Sequence, residues 1–144
     1  MPKMFIGQFV AASLIFRVTL FCVAQAPGAG TVAHGIQSQI AGTWRGHSEC
    51  ARKNSPCHDE VNVYRFSEIA GKPGWFSGVG SKIVDGKEIV MGTLEWNYDA
   101  EKHSLENENS GGTFRLIVYT AKMDGSLTLP DKTVYRRIHL ERQN

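Results

Sequence analysis

From Ala41 onward, apolar and polar residues alternate over short runs separated by turn-forming residues, and no apolar stripe of helical spacing interrupts them. The runs predict strands over Gly42–Glu49, Glu60–Glu68, Gly74–Ile83, Glu88–Tyr98, Ser104–Asn107, Thr113–Ala121, Ser126–Leu129 and Thr133–Arg142. Between them stand Ala70-Gly71-Lys72-Pro73, Asp85-Gly86, Asp99-Ala100-Glu101-Lys102, Ser110-Gly111-Gly112, Asp124-Gly125 and Pro130-Asp131, residues that accept turn geometry and positive φ. Every connector is short, so strands adjacent in sequence should pair antiparallel and no βαβ crossover fits.

The period of two is visible within the strands. Phe114, Leu116 and Val118 alternate with Arg115, Ile117 and Tyr119, and Val134, Arg136, Ile138 and Leu140 alternate with Tyr135, Arg137, His139 and Glu141. Gly78, Gly80 and Gly92 fall inside strands, where glycine marks bulges or the bends that curl a sheet. Eight strands with such bends predict an all-β fold, a small antiparallel meander closed as an eight-stranded barrel without free edges.

The first residues read differently. After Lys3, an apolar run reaches Ala24 and ends in Ala24-Gln25-Ala26, the small-x-small form that signal peptidases cut; Arg17 interrupts it. The expected organisation is a signal peptide over 1–26, a small polar leader rich in glycine over 27–40, and the barrel domain over 41–144. The protein is then secreted or periplasmic, with no stable membrane anchor after cleavage. Removing residues 1–26 takes Lys3 and Arg17 away and brings the formal charge from +2 to zero. A neutral domain lacks the clustered cations that capture nucleic acid by displacing phosphate counterions.

Of three cysteines, Cys22 leaves with the signal, and Cys50 and Cys57 remain as an even pair. In an oxidising compartment such a pair closes, and the intervening Asn54, Ser55 and Pro56 supply turn chemistry that lets the two sulfurs meet. The predicted disulfide is Cys50–Cys57. The alternative is zinc held by Cys50, Cys57, His58 and His47, although the spacing is not that of a finger.

Ile40-Ala41-Gly42-Thr43-Trp44-Arg45-Gly46 resembles the Gly-x-Trp opening of the first strand in lipocalins and related calycin barrels. That resemblance implies a lipocalin-like barrel whose Trp44 closes one end, with an arginine of the last strand, Arg136 or Arg137, packed over the indole as a cation–π contact. The same stretch is similar to the opening of the nitrobindin-like haem barrels, which brings His139 or His103 in as conceivable haem ligands.

Trp44, Trp75, Trp96, Phe114 and Tyr135 are the candidates to line an apolar cavity or to fill the core. A polar patch is conceivable from His47 and Glu49 on the first strand facing His58 and Glu60 across the disulfide hairpin. No nucleophile elbow or phosphate loop is present: Gly78-Val79-Gly80-Ser81 lies mid-strand with no helix after it. The sequence therefore predicts a non-catalytic exported barrel without a cofactor, binding a small apolar ligand. The alternative partner is a protein that docks on the 50–57 loop through Arg52 and Lys53; a metal- or haem-dependent enzyme ranks last.

Overall fold

A computed structural model describes Gly35 and residues 39–144. The expected signal segment and nearly all of the expected leader lie outside the described residues. Among the described residues no helix is long and apolar enough to cross a membrane.

The alternating runs form strands β1 (Gly42–Cys50), β2 (Glu60–Glu68), β3 (Trp75–Val84), β4 (Lys87–Asp99), β5 (Ser104–Asn109), β6 (Gly112–Val118), β7 (Lys122–Thr128) and β8 (Val134–Arg142). Each pairs antiparallel with its neighbour in sequence, and β8 returns to β1, closing an eight-stranded up-and-down barrel. The Asp85-Gly86 turn between β3 and β4 carries positive φ at both residues, 50° and 75°, the two-residue hairpin geometry whose twist matches the strands.

Asp124-Gly125, expected to be a turn, lies inside β7, and the chain turns earlier, after Val118. Packing explains the difference: a Cβ on Gly125 would stand 1.9 Å from the Arg115 carbonyl oxygen of β6. This glycine is present because two backbones approach closely, not because the chain reverses there.

Inward-facing side chains fill most of the barrel. Trp44, Phe76, Trp96, Leu105, Leu116 and Met123 are completely buried, joined by Phe66, Ile138 and Leu140. Fully burying an aliphatic or Phe side chain of this kind contributes roughly 1.5–3 kcal/mol, so this interior is the main source of stability. The domain also begins slightly earlier than residue 41. Ile40 is fully buried in the core, and its carbonyl accepts the Trp44 indole N–H at 2.8 Å.

Two irregularities shape the wall. The β3–β4 register slips so that Gly80 faces Gly92 and Ser81 faces Val90, leaving Met91 as the extra residue of a bulge. A second slip, between β7 and β8, leaves Tyr135 unpaired between Arg136 and Val134. Beyond the bulge the β3–β4 hairpin carries exposed Val84, Ile89, Val90 and Met91.

Candidate functional site in the barrel wall

One end of the barrel is closed. Trp44 and Arg142 are register partners on β1 and β8, and the guanidinium lies 5.5 Å from the indole ring centre. Arg142 also donates to the Ala41 carbonyl at 2.8 Å and to the Gln39 carbonyl. The lid arginine is thus Arg142, in place of the expected Arg136 or Arg137. Arg137 is exposed on the outer face of β8, and Arg136 points inward at the opposite end of the strand.

That opposite end is tied by the Cys50–Cys57 disulfide, with Cα atoms 5.9 Å apart. The closed bond fits an oxidising compartment and takes both thiolates away from zinc. Arg136 anchors this rim: it donates to the Ser48 hydroxyl at 3.1 Å and the His58 carbonyl at 3.1 Å, and pairs with Glu60 at 3.4 Å. Lys82 stands 3.6 Å from the same Glu60 carboxylate.

Between the two ends lies an apolar pocket of about 230 Å³, floored by Tyr64, Trp96 and Phe114 and walled by Leu94 and Met91. Trp96 organises the floor. Its ring meets Phe114 at 5.5 Å, Phe66 at 5.6 Å and Tyr64 at 6.3 Å, all edge-on, the arrangement that ring quadrupoles favour. Burial pushes the Tyr64 hydroxyl up to about 12, with nearby Arg136 acting against that rise and Glu60 adding to it. Tyr64 therefore stays a neutral donor, its ring in the pocket wall.

Glycines shape the site: Gly78 makes room for core rings, and Gly80 and Gly92 border the open space. A Cβ on Gly78 would sit 2.6 Å from the Trp96 indole nitrogen, and one on Gly80 would sit 3.3 Å from Tyr64 Cε1. Beside Gly92 no heavy atom lies within 4 Å of where a Cβ would stand. The pocket also lies where the barrel wall is thinnest. β4 pairs with β5 only through Asn97, Tyr98 and Asp99, so Thr93 and Leu94 have no strand beside them on that side.

The sequence-expected aromatics divide on this geometry. Trp44 and Trp96 are core residues, and the half-buried Phe114 packs against the core and lines the pocket. Trp75 and Tyr135 stand outside the core cluster, contrary to the cavity expectation. The period of two turns Trp75 away from buried Phe76, and it is covered by the Lys72 ammonium 3.8 Å from its ring. Tyr135 is the unpaired residue of the β8 slip, with Arg136 5.7 Å from its ring.

The expected polar patch does not assemble. His47 and Glu49 are exposed on the outer face of β1, His58 is exposed in the loop, and Glu60 turns inward to Arg136 and Lys82. Among the described residues no three His, Cys, Asp or Glu side chains gather in a metal-binding group. His103 approaches the Tyr98 hydroxyl at 3.4 Å, and His139 hydrogen-bonds Asp124 on the outer surface, so neither faces the pocket.

Sequence reasoning left out Tyr64, Leu94 and Met91. The signal that finds the pocket was present nonetheless, in glycines at alternate positions of a strand whose neighbours carry large aromatics.

No protein-family model matches the chain, and no curated protein matches it. Among solved structures the chain is similar to a redesigned β-barrel, at 15% identity and a TM-score of 0.56, over 76% of this chain and 96% of that one. At that identity the likeness is one of fold alone, and it agrees with the closed antiparallel barrel described above.

Proposed function

We propose that this protein is an exported, non-catalytic barrel of lipocalin-like type that carries a small apolar molecule in the pocket over Trp96. The observation that carries the reading is an apolar pocket of about 230 Å³ in the barrel wall, open beside Gly92 and backed by the rings of Tyr64, Trp96 and Phe114. A dry apolar cavity of about 150 Å³ is enough to take up benzene, so this one suits a molecule of one or two rings. The pocket is smaller than the roughly 300–1,000 Å³ of drug-sized sites, which argues against long-chain lipids. The lipocalin-like type is supported by the Trp44–Arg142 lid, and export by the N-terminal segment together with the disulfide.

Native mass spectrometry of the protein purified from an exporting host, set against the denatured mass, tests the reading directly. A mass excess lost on denaturation, or saturable quenching of tryptophan fluorescence by 1-aminonaphthalene, is the expected result. Leu94→Trp, which fills the pocket from its wall, should weaken that quenching at least tenfold while leaving the folded circular dichroism spectrum intact. Absence of binding by every such probe to the wild-type protein would refute it.

A second reading is supported by the order of the 50–57 loop. Asp59 accepts the Cys50 amide at 2.7 Å, Ser55 donates to the Arg52 carbonyl at 3.2 Å, and the Ala51 amide donates to the Tyr135 carbonyl at 3.0 Å, so the backbone that presents exposed Arg52 and Lys53 is tied in advance. Preorganised loops bind partners at low entropic cost. Under this reading Arg52→Glu with Lys53→Glu abolishes partner capture and leaves aminonaphthalene binding unchanged.

A further inference from the structure

The outer faces of β1, β7 and β8 bring together three side chains that the pocket does not use. His47 and His139 are direct register partners, and His139 is in turn the partner of Asp124 on β7. All three stand on the solvent side of the wall. Directly opposed residues of antiparallel strands hold their Cβ atoms roughly 4.5–5.5 Å apart, within reach of a shared ion for two imidazoles that each bind at about 2.0–2.1 Å.

We propose that His47 and His139 form a two-imidazole site for a divalent transition-metal ion, with Asp124 as the positioning residue behind His139. The Asp124 carboxylate holds His139 Nδ1 at 2.8 Å, which turns Nε2 outward as the free donor. A carboxylate on the far nitrogen of a ligating histidine is the usual way such a ring is oriented.

The surroundings fit. Lys122 Nζ lies 3.4 Å from the other Asp124 oxygen and leaves the His139 contact alone. Arg45 and Glu141, register partners beside the pair, bring one charge of each sign. A groove of about 540 Å³ over the two histidines leaves room for the waters that complete the shell. The backbones of β1 and β8 approach closely here, where a Cβ on Gly46 would stand 1.8 Å from the His139 carbonyl oxygen. Neutral nitrogen donors with water select Zn²⁺, Cu²⁺ or Ni²⁺ over Mg²⁺ or Ca²⁺. The site is independent of the apolar pocket.

The test is titration of the untagged protein with ZnCl₂ near neutral pH, followed by the imidazole and amide resonances. One equivalent should shift His47 and His139 together and leave His58 and His103 in place. His47→Ala and His139→Ala should each weaken Zn²⁺ binding at least tenfold, and Asp124→Asn by about tenfold. The metal-free melting temperatures of these surface variants report that each is folded. Equal affinity in His47→Ala, a first shift at any other histidine, or one metal per two chains by sedimentation would overturn the proposal.

Discussion

Arg142 lies over Trp44 with its guanidinium 5.5 Å from the indole centre, while the Trp44 N–H donates back to Ile40 at 2.8 Å. The first and last strands are therefore locked to each other and to the chain entering the barrel. Gly42 makes the arrangement possible: its φ of 131° belongs to glycine, and a Cβ there would come within 3.3 Å of the Arg142 terminal nitrogen.

Removing the lid is expected to cost much of the domain's stability. Trp44→Ala empties a fully buried site and should lose about 3–5 kcal/mol, the range for large-to-small aromatic changes. Arg142→Ala should lose about 1–2 kcal/mol, and Arg142→Lys nearly as much, because an ammonium cannot span two carbonyls as the planar fork does. Urea unfolding of the two single variants and the double variant would give a coupling of about 0.5–1 kcal/mol if the ring contact itself is stabilising.

The disulfide closes a short loop, Cys50 to Cys57, so its effect through the unfolded chain is limited. Cys50→Ser with Cys57→Ser should lower stability by about 2 kcal/mol and leave the barrel folded, since Arg136 still ties Ser48 to the His58 carbonyl at the same rim. A thermal melt with and without reductant checks this. A fall of wild type to the level of the double variant in reductant is the expected outcome.

Gly78 and Gly80 look alike in sequence but predict different behaviour. A Cβ at 78 would meet two core rings, the Trp96 indole at 2.6 Å and Phe66 Cε1 at 2.7 Å, whereas at 80 it meets the Tyr64 ring at 3.3 Å. Gly78→Ala should overpack the core and cost roughly 1–3 kcal/mol. Gly80→Ala should cost less and narrow the pocket, so aminonaphthalene affinity falls with little change in melting temperature.

Strand order and most boundaries were legible because local pattern and barrel closure agree. Glu60–Glu68 is rich in strand-forming residues, is followed by a turn-forming stretch, and is β2 to the residue. Placement around the bulges was not legible, because a slip of register reverses the inward and outward faces beyond it. Tyr135 is a core candidate by its aromatic character alone, whereas the period of two already sets it on the face of Arg137 and His139. The lid position failed for want of the register. Arg136, Arg137 and Arg142 all lie on the last strand, and only the register Trp44↔Arg142 tells which of them reaches the indole. His139 opposite His47 is likewise a property of barrel closure, joining residues from the two ends of the domain.

The Arg65–Glu88 pair ties β2 to the free end of the β3–β4 hairpin across the outer surface, with both carboxylate oxygens engaged. The Arg65 hydrogen bonds pull the Glu88 carboxyl down to about 2 from an ordinary 4.5. A carboxyl that is more acidic in the folded protein than in the unfolded chain contributes stability above its unfolded value and loses it as pH falls through the folded one. The contribution is therefore present above about pH 4.5 and fades between there and pH 2. Exposed pairs of this kind are screened by salt and worth little globally, so the effect belongs to the hairpin and not to the barrel. Hydrogen exchange should show it as faster opening of the Val84–Met91 amides on acidification or in Glu88→Gln, with the amides of β8 unchanged. Added salt should speed the wild-type hairpin toward the variant's rate and leave the variant where it is. A hairpin whose exchange is indifferent to Glu88 would mean that the two-residue turn at Asp85-Gly86 holds it alone.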